Sequence, residues 1–190
     1  KLPVVFALDR AGLVGADGET HQGVYDIAYA LTMPYVDIYS PASRGELTEM
    51  LELAVKKGNP AIVRYARGLL PDVEYPPVEY GKWLELQPIS EVTVIATGRM
   101  VETAKKAAEE TGAGLVSARS IRPMDEDMLR RIGERARRII TIEDGIASGG
   151  MGSRIAEWFS GRVKVIRLGV GETPVRQASV DEQDILCGID

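Results

Sequence analysis

Short apolar runs alternate with longer segments in which apolar residues recur at every third or fourth position. The runs predict seven strands, at residues 4–8, 36–39, 61–65, 92–96, 114–118, 139–143 and 163–168. The longer segments predict five helices, at about residues 21–31, 43–58, 100–111, 125–137 and 152–160. This alternation is typical of an α/β fold with mostly parallel sheets and right-handed crossovers.

Polar residues and glycines mark where several of these helices begin and end. Ser43 followed by Glu46 has the spacing of a capping box, and Gly58 is placed to end the same helix. Asp125 precedes the fourth helix in the position of an N-cap.

The chain divides into two small α/β units joined by a proline-rich segment. Residues 71–91 contain four prolines, which is typical of an extended linker lying over a surface. We therefore predict a first unit at residues 1–70, a linker at 71–91 and a second unit at 92–190. We expect the linker aromatics to pack on a domain face; they are Tyr75, Tyr80 and Trp83.

Composition excludes several classes of protein. With 45% apolar and 27% charged residues, the chain is typical of a soluble globular protein. Its net charge of −5 argues against nucleic acid as a partner, and no apolar run approaches the about 18 residues of a membrane helix. The single cysteine, Cys187, favours a reducing, cytoplasmic setting. Because the first strand follows Lys1 at once and a parallel strand normally needs neighbours, we expect a piece of a longer protein. A processed or trimmed natural N-terminus is the alternative.

The segment from Asp9 to Gly23 follows the first predicted strand and concentrates the candidate chemistry. It holds four glycines and the chain's only histidine, His21. Glycines allow tight backbone turns, and ionisable groups at strand ends are where α/β proteins usually bind ligands and react.

Two residues of this segment are candidates for proton transfer. His21 carries an imidazole that titrates at about pH 6.5, and it lies at the start of a predicted helix, whose positive end favours the neutral ring. Asp17 could orient His21 or accept a hydrogen bond from a substrate hydroxyl. The residues alone leave two other roles open: His21 as a helix cap, and Asp17 as a turn-former in Ala-Asp-Gly.

Two arginines are candidates for binding an anion. Arg10 follows the first strand and Arg67 the third, so parallel strands bring both to the same carboxyl edge. Two guanidinium groups at one edge suit a phosphate, which each can bind through paired hydrogen bonds. Surface arginines that merely pair with local acids are the alternative.

No metal-binding or cofactor-binding residue is predicted. The chain has no His/Cys cluster, and Gly15-Ala16-Asp17-Gly18 lacks the later asparagine that a thiamin-diphosphate motif requires. The glycines at 149–152 precede a helix and could bind an anion, but close packing of the helix start explains them equally.

The run D-R-A-G-L-V-G-A-D-G-E-T-H-Q-G, followed by a strand ending in S-P and then by R-Y-A-R-G, resembles the 1-deoxy-D-xylulose-5-phosphate synthase family. That family belongs to the transketolase-like, thiamin-diphosphate-dependent enzymes. The resemblance implies that residues 1–70 form the second half of a pyrimidine-binding domain and that 92–190 form a transketolase C-terminal domain. It also implies that the domain holding diphosphate and Mg²⁺, with the cofactor-activating glutamate, is absent from this chain.

The resemblance further implies an activity and roles for four residues. The reaction condenses pyruvate with glyceraldehyde 3-phosphate, releases CO₂ and supplies isoprenoid, thiamin and pyridoxal synthesis. Arg10 and Arg67 would bind the acceptor phosphate, and Asp17 and His21 would lie beside the reacting carbonyl and hydroxyls. A cytoplasmic homodimer is expected, and the chain alone is expected to be inactive. Ala66 departs from the proline usual in the family.

Two other functions stay open. The chain could be a beta-type subunit of a 2-oxo-acid dehydrogenase or of a split transketolase, with the cofactor half on another chain. It could also be a non-catalytic dimerisation or binding module.

Overall fold

The computed structural model describes residues 1–190 and contains nine strands and six α-helices. The strands are β1 (Val5–Leu8), β2 (Asp37–Tyr39), β3 (Ala61–Arg64), β4 (Leu84–Gln87), β5 (Val92–Ala96), β6 (Gly114–Ser117), β7 (Ser120–Arg122), β8 (Arg138–Ile146) and β9 (Lys164–Val170). The helices are α1 (Asp26–Thr32), α2 (Arg44–Lys57), α3 (Met100–Thr111), α4 (Glu126–Arg135), α5 (Met151–Phe159) and α6 (Val180–Cys187). The α/β fold with two mostly parallel sheets is confirmed.

The first sheet has the strand order β1-β3-β2-β7. Strands β1, β3 and β2 are parallel, whereas β7 runs antiparallel to β2 and comes from the second unit. The three residues of β7 are too few to give a periodic pattern, so the apolar pattern does not predict it. The second unit thus completes the sheet of the first.

The second sheet has the order β4-β6-β5-β8-β9, and only β4 is antiparallel to its neighbour. Strand β4 lies inside the segment predicted as a linker and covers one edge of this sheet. Two of the three linker aromatics pack as expected. Trp83 is buried and its indole donates a hydrogen bond to the carbonyl of Ser120 at 2.7 Å, and Tyr75 packs partly buried against a core cluster, whereas Tyr80 is 37% exposed. The segment is therefore part of the folded second unit rather than only a spacer.

The predicted helix ends at Gly58 and Asp125 are confirmed, but Ser43 and Glu46 form only half of the predicted capping box, because the Glu46 carboxylate accepts from the backbone N–H of Ala42 rather than of Ser43. Ser43 Oγ accepts a hydrogen bond from the backbone N–H of Glu46 at 3.3 Å, and Gly58 ends α2 with a φ of +67°. Asp125 caps α4 by accepting from the backbone N–H of Met128 at 3.0 Å. These local bonds satisfy backbone groups that the first helical turn leaves without partners.

Helix α6 has no counterpart in the predicted pattern. Ser179 and Glu182 form a reciprocal capping box at its start. Its fully or largely buried residues are the polar Gln183 and Asp184, whereas Ile185 is exposed. Apolar periodicity therefore gives no signal for this helix, although the polar burial shows that it is packed against the rest of the chain.

The largest hydrophobic cluster of the protein spans both units. The largest cluster joins residues from α1, β2 and β3 to residues from α4, α5 and β8, among them Ile27, Ile38, Ile62, Leu129, Ile139 and Ile155. Because these side chains pack together, the two units are expected to unfold together.

Arginines reinforce the same interface. Arg119 Nε contacts Glu46 Oε1 at 2.6 Å, and both side chains are buried. Arg122 donates to the last carbonyls of α1, including those of Ala30 and Leu31, where a cation complements the negative end of the helix. Polar as well as apolar contacts therefore set the position of one unit against the other.

Candidate functional site

Residues 9–23, here called the site loop, connect β1 to α1 through two short 3₁₀ turns at Gly15–Asp17 and Glu19–His21. The prediction of a helix from His21 was wrong, because α1 begins only at Asp26. Gly23 donates a backbone hydrogen bond to the carbonyl of Arg10 at 2.9 Å and accepts one from Gly12, which holds this end of the loop in a bridge. His21 therefore does not lie at the N-terminus of α1.

Arg10, Asp17 and Arg67 meet at the carboxyl edge of the first sheet. Arg10 Nε donates to Asp17 Oδ2 at 2.8 Å, and Arg67 forms an ion pair with Asp17 Oδ1. The Asp17 side chain is 17% exposed, against 40% for Arg10 and 50% for Arg67. Asp17 thus holds two guanidinium groups beside each other, Arg10 pairs in addition with Asp9, and both arginine side chains stay partly exposed.

The backbone at Arg10 is also unusual. Its φ is +59°, in the left-handed region that costs a non-glycine residue roughly 1 kcal/mol or more. The bridge to Gly23 and the pairing with Asp17 hold it there. Strain of this kind is often found where a side chain must point in a particular direction.

A cavity of about 330 Å³ opens beside Arg67. Its wall includes Asp9, Arg44 and Tyr65 together with apolar side chains such as Leu47. Its size is at the lower end of the range for small-molecule sites.

His21 does not join the cluster. Its side chain is exposed, its Nδ1 lies 3.0 Å from Thr20 Oγ1, and it forms no hydrogen bond or ion pair with Arg10, Asp17 or Arg67. Of the four predicted site residues, the structure therefore brings three into contact and leaves His21 on the same loop facing solvent.

Behind the site loop lies a buried ionic network. Arg64, 1% exposed, donates to Asp144 Oδ1 at 3.0 Å, and Arg99 Nε lies 3.2 Å from Asp144 Oδ2 without hydrogen-bond geometry. Burial alone would raise the pKa of the Asp144 carboxyl, but the Arg64 and Arg99 guanidinium groups outweigh it and hold that pKa below its ordinary value.

The sequence pattern predicts no role for Arg64, Arg99 or Asp144. Arg64 stands in the same Arg-Tyr-Ala-Arg segment as Arg67, and Asp144 stands in Thr-Ile-Glu-Asp after an apolar run. Asp144 directly follows the predicted strand 139–143, and Arg64 lies inside the predicted strand 61–65. Neither position shows whether the charged side chain faces the core or a ligand.

Gly12 is required where the loop crosses this network. It has a φ of +72°, and a Cβ built on it would collide with the Asp144 carboxylate. Gly18 has a similar φ of +81°, but nothing lies near its Cβ position. Comparing substitutions at Gly12 and Gly18 therefore distinguishes the cost of a left-handed backbone from the cost of a steric clash with Asp144.

We expect Gly12→Ala to destabilise the protein by roughly 1–3 kcal/mol more than Gly18→Ala, because only the first change forces overpacking. Both variants pay the same left-handed backbone cost. Urea unfolding of the two proteins would measure the difference. Equal losses in the free energy of unfolding would show that the Asp144 side chain moves away from the new methyl group without destabilising the protein.

Glu143, next to Asp144, is buried at the start of α5. It accepts backbone hydrogen bonds from Met151 at 2.9 Å and Gly152 at 2.8 Å. Burial raises the pKa of Glu143 to about 7, and these two N–H donors and Arg64 only partly oppose it.

The raised pKa predicts a specific pH dependence. Between the ordinary glutamate value of about 4.3 and about 7, the folded state keeps a proton that the unfolded chain has released. The contribution of Glu143 to the free energy of unfolding therefore falls as pH rises through this window. Glu143→Gln should remove that part of the slope, as measured by urea unfolding at several pH values. Parallel pH profiles for the two proteins would contradict the assignment.

The structure shows no group of three or more His, Cys, Asp or Glu side chains placed to hold a metal ion. None of its helices combines the length and the apolar character needed to cross a membrane.

Comparison with known families divides the chain in two. Residues 1–73 match the transketolase pyrimidine-binding domain, and residues 81–190 match the transketolase C-terminal domain. Among curated proteins, the chain is 41% identical to the 1-deoxy-D-xylulose-5-phosphate synthase of Clostridium kluyveri over its whole length, which is 32% of that protein. The chain spans about a third of the length of this synthase and of those from Clostridium tetani and Aquifex aeolicus.

Solved structures share its fold. A split-gene transketolase, described as an inactive β4 tetramer, superposes with a TM-score of 0.89 at 25% identity, covering 98% of this chain and 62% of the other. Transketolase from Campylobacter jejuni superposes with a TM-score of 0.76 at 18% identity, over 98% of this chain and 29% of that one.

Proposed function

The chain belongs to the transketolase family, and from this membership we propose that it works as part of a 1-deoxy-D-xylulose-5-phosphate synthase. That enzyme condenses pyruvate with glyceraldehyde 3-phosphate and releases CO₂. The identity of about 40% to synthases along the whole chain supports this choice within the family.

The arrangement of Arg10, Asp17 and Arg67 carries the proposal. Arg10 and Arg67 share the Asp17 carboxylate, and Arg10 also pairs with Asp9, but each guanidinium group carries further N–H donors that could form paired hydrogen bonds to the phosphate of the acceptor aldehyde. The cavity beside Arg67 has room for a three-carbon sugar phosphate. Phosphate oxygens would accept hydrogen bonds from both arginines while Asp17 keeps the two side chains at their spacing.

His21 and Asp17 are proposed to act at the other end of the acceptor. The exposed imidazole of His21 has no partner in the chain apart from Thr20, so it is free to exchange a proton with the acceptor's carbonyl oxygen. Asp17 would accept a hydrogen bond from an acceptor hydroxyl in addition to its two ion pairs.

The family's cofactor is thiamin diphosphate with Mg²⁺, and the residues of this chain do not by themselves fit its diphosphate and metal. No carboxylate cluster is present to bind the metal. We propose that these groups are bound by the part of the synthase that this chain does not span. The chain alone is therefore expected to be inactive, and the whole enzyme is proposed to be a cytoplasmic homodimer that supplies isoprenoid, thiamin and pyridoxal synthesis.

The direct test is a turnover assay. The full-length protein, supplied with pyruvate, glyceraldehyde 3-phosphate, thiamin diphosphate and Mg²⁺, should form 1-deoxy-D-xylulose 5-phosphate and release CO₂. The matched control is residues 1–190 alone, which should form none. Product from this control would contradict the proposal that diphosphate and Mg²⁺ are bound outside residues 1–190. Full-length protein that forms no product would contradict the proposed reaction.

A split transketolase subunit is the second candidate, because the fold superposes on a split-gene transketolase with a TM-score of 0.89. In that case a separate chain carrying the diphosphate motif would copurify with this one. Ketol transfer from a sugar donor, rather than decarboxylation of pyruvate, would then be measured.

A further inference from the structure

The site loop is tied to a segment far away in the sequence. Residues 175–184, here called the clamp, make three hydrogen bonds to it. Gln183 Oε1 accepts from the backbone N–H of Gly15 at 3.0 Å, Gln22 Nε2 donates to the carbonyl of Val175 at 3.1 Å, and Gln177 Nε2 donates to the carbonyl of Ala16 at 3.1 Å.

Gln183 is the buried member of this set. Its exposure is 0%, and both ends of its amide are used, because Nε2 donates to the carbonyl of Arg176 at 2.9 Å. The turn that it holds begins at Gly15, where a Cβ would lie 3.2 Å from the carbonyl oxygen of Ala178. The backbone of Gly15–Asp17 thus packs directly on the clamp.

Helix α6, which carries Gln183, is itself held in place by ion pairs. Arg99 donates to both oxygens of the adjacent Asp184, at 2.7 and 2.6 Å. Arg99 also contacts Asp144, against which Gly12 of the site loop packs. The loop is therefore supported at Gly12 by Asp144 and at Gly15 by Gln183, and Arg99 connects the two supports.

We propose that Gln183 is a positioning residue for the anion site, acting through the turn Gly15–Asp17. This turn places the Asp17 carboxylate, and Asp17 in turn sets the spacing of Arg10 and Arg67. The inference rests on the proposed function, since its consequence is that recognition of the acceptor's phosphate depends on a residue of the second unit that touches no substrate.

The test compares two acceptors in the full-length enzyme. Gln183→Leu removes both hydrogen bonds while keeping most of the side-chain volume. We expect the ratio of kcat/KM for glyceraldehyde 3-phosphate to that for unphosphorylated glyceraldehyde to fall roughly tenfold, with faster hydrogen exchange at residues 14–18. Leu186→Ala, an exposed change on the same helix, should leave the ratio unchanged.

A purely structural role would lower both kcat/KM values together, and that outcome would overturn the proposal. Should Gln183→Leu fail to fold, Gln177→Ala removes another clamp bond at an exposed residue and should lower the ratio in the same direction. An unchanged ratio in Gln177→Ala would then count against the proposal. If Arg10→Ala also leaves the ratio unchanged, the proposed function fails; if only the clamp variants do, this inference alone fails.

Discussion

Replacing Arg10 or Arg67 with alanine in the full-length protein is expected to lower kcat/KM for glyceraldehyde 3-phosphate by about 10- to 100-fold. Each change removes charge-assisted hydrogen bonds worth about 1.5–3 kcal/mol. The loss should be confined to the phosphorylated acceptor, because unphosphorylated glyceraldehyde offers these guanidinium groups no anion. Steady-state kinetics with both acceptors would measure the difference.

Two further variants sharpen this test. Arg67→Lys keeps the positive charge but cannot form paired hydrogen bonds, so it should recover only part of the loss. Arg130→Ala removes an exposed arginine of α4 and should leave both rates unchanged. Equal losses for the two acceptors would place the arginines outside the phosphate site. Unaltered kinetics in all variants would show that neither arginine takes part in binding the acceptor.

Arg64→Leu is expected to destabilise the protein by about 3–5 kcal/mol, the usual cost of removing one partner from a buried ion pair. The change leaves the Asp144 carboxylate buried at 2% exposure, with only the partly exposed Arg99 opposite. It also removes donors to Ser40 Oγ and to the carbonyl of Gly23. Urea unfolding followed by tryptophan fluorescence would give the free energy of unfolding.

The control for this prediction is an exposed pair. Arg130 pairs with Glu126 at 3.0 Å, and both side chains are more than half exposed, so Arg130→Ala should cost no more than about 1 kcal/mol. The pH dependence gives a second check. Because the folded pKa of Asp144 is depressed, its stabilisation is present above the ordinary aspartate range and is lost as pH falls through the folded pKa. The gap between wild type and Arg64→Leu should therefore narrow in acid.

Much of the secondary structure followed from local pattern. The seven predicted strands correspond to β1, β2, β3, β5, β6, β8 and β9, because each has an apolar run; the inner strands are buried, whereas β1 and β9 lie at sheet edges and are partly exposed. Helices α2 to α5 were predicted to within a few residues, since Ser43 and Asp125 bond to backbone groups only three positions away. Such capping bonds involve only residues within one helical turn of each other, so the local sequence is enough to predict them.

The errors lie where a distant partner decides the conformation. Residues 21–25 have helical periodicity, yet Gly23 is held in a bridge to Arg10 and Gly12, so α1 starts late. The two short edge strands β4 and β7 exist because β6 and β2 offer free edges for pairing. Helix α6 buries polar residues whose partners come from elsewhere in the chain.

The candidate site shows the same division. Local order was enough to put Arg10 and Arg67 at one sheet edge, because parallel strands share their carboxyl end and each arginine follows a strand. Only the assembled fold decided that Asp17 lies between them, that Arg64 turns inward to Asp144 and that His21 stands apart. Those outcomes depend on contacts between residues as many as 80 positions apart along the chain, as for Arg64 and Asp144, whose side chains have no influence on each other until the core has closed.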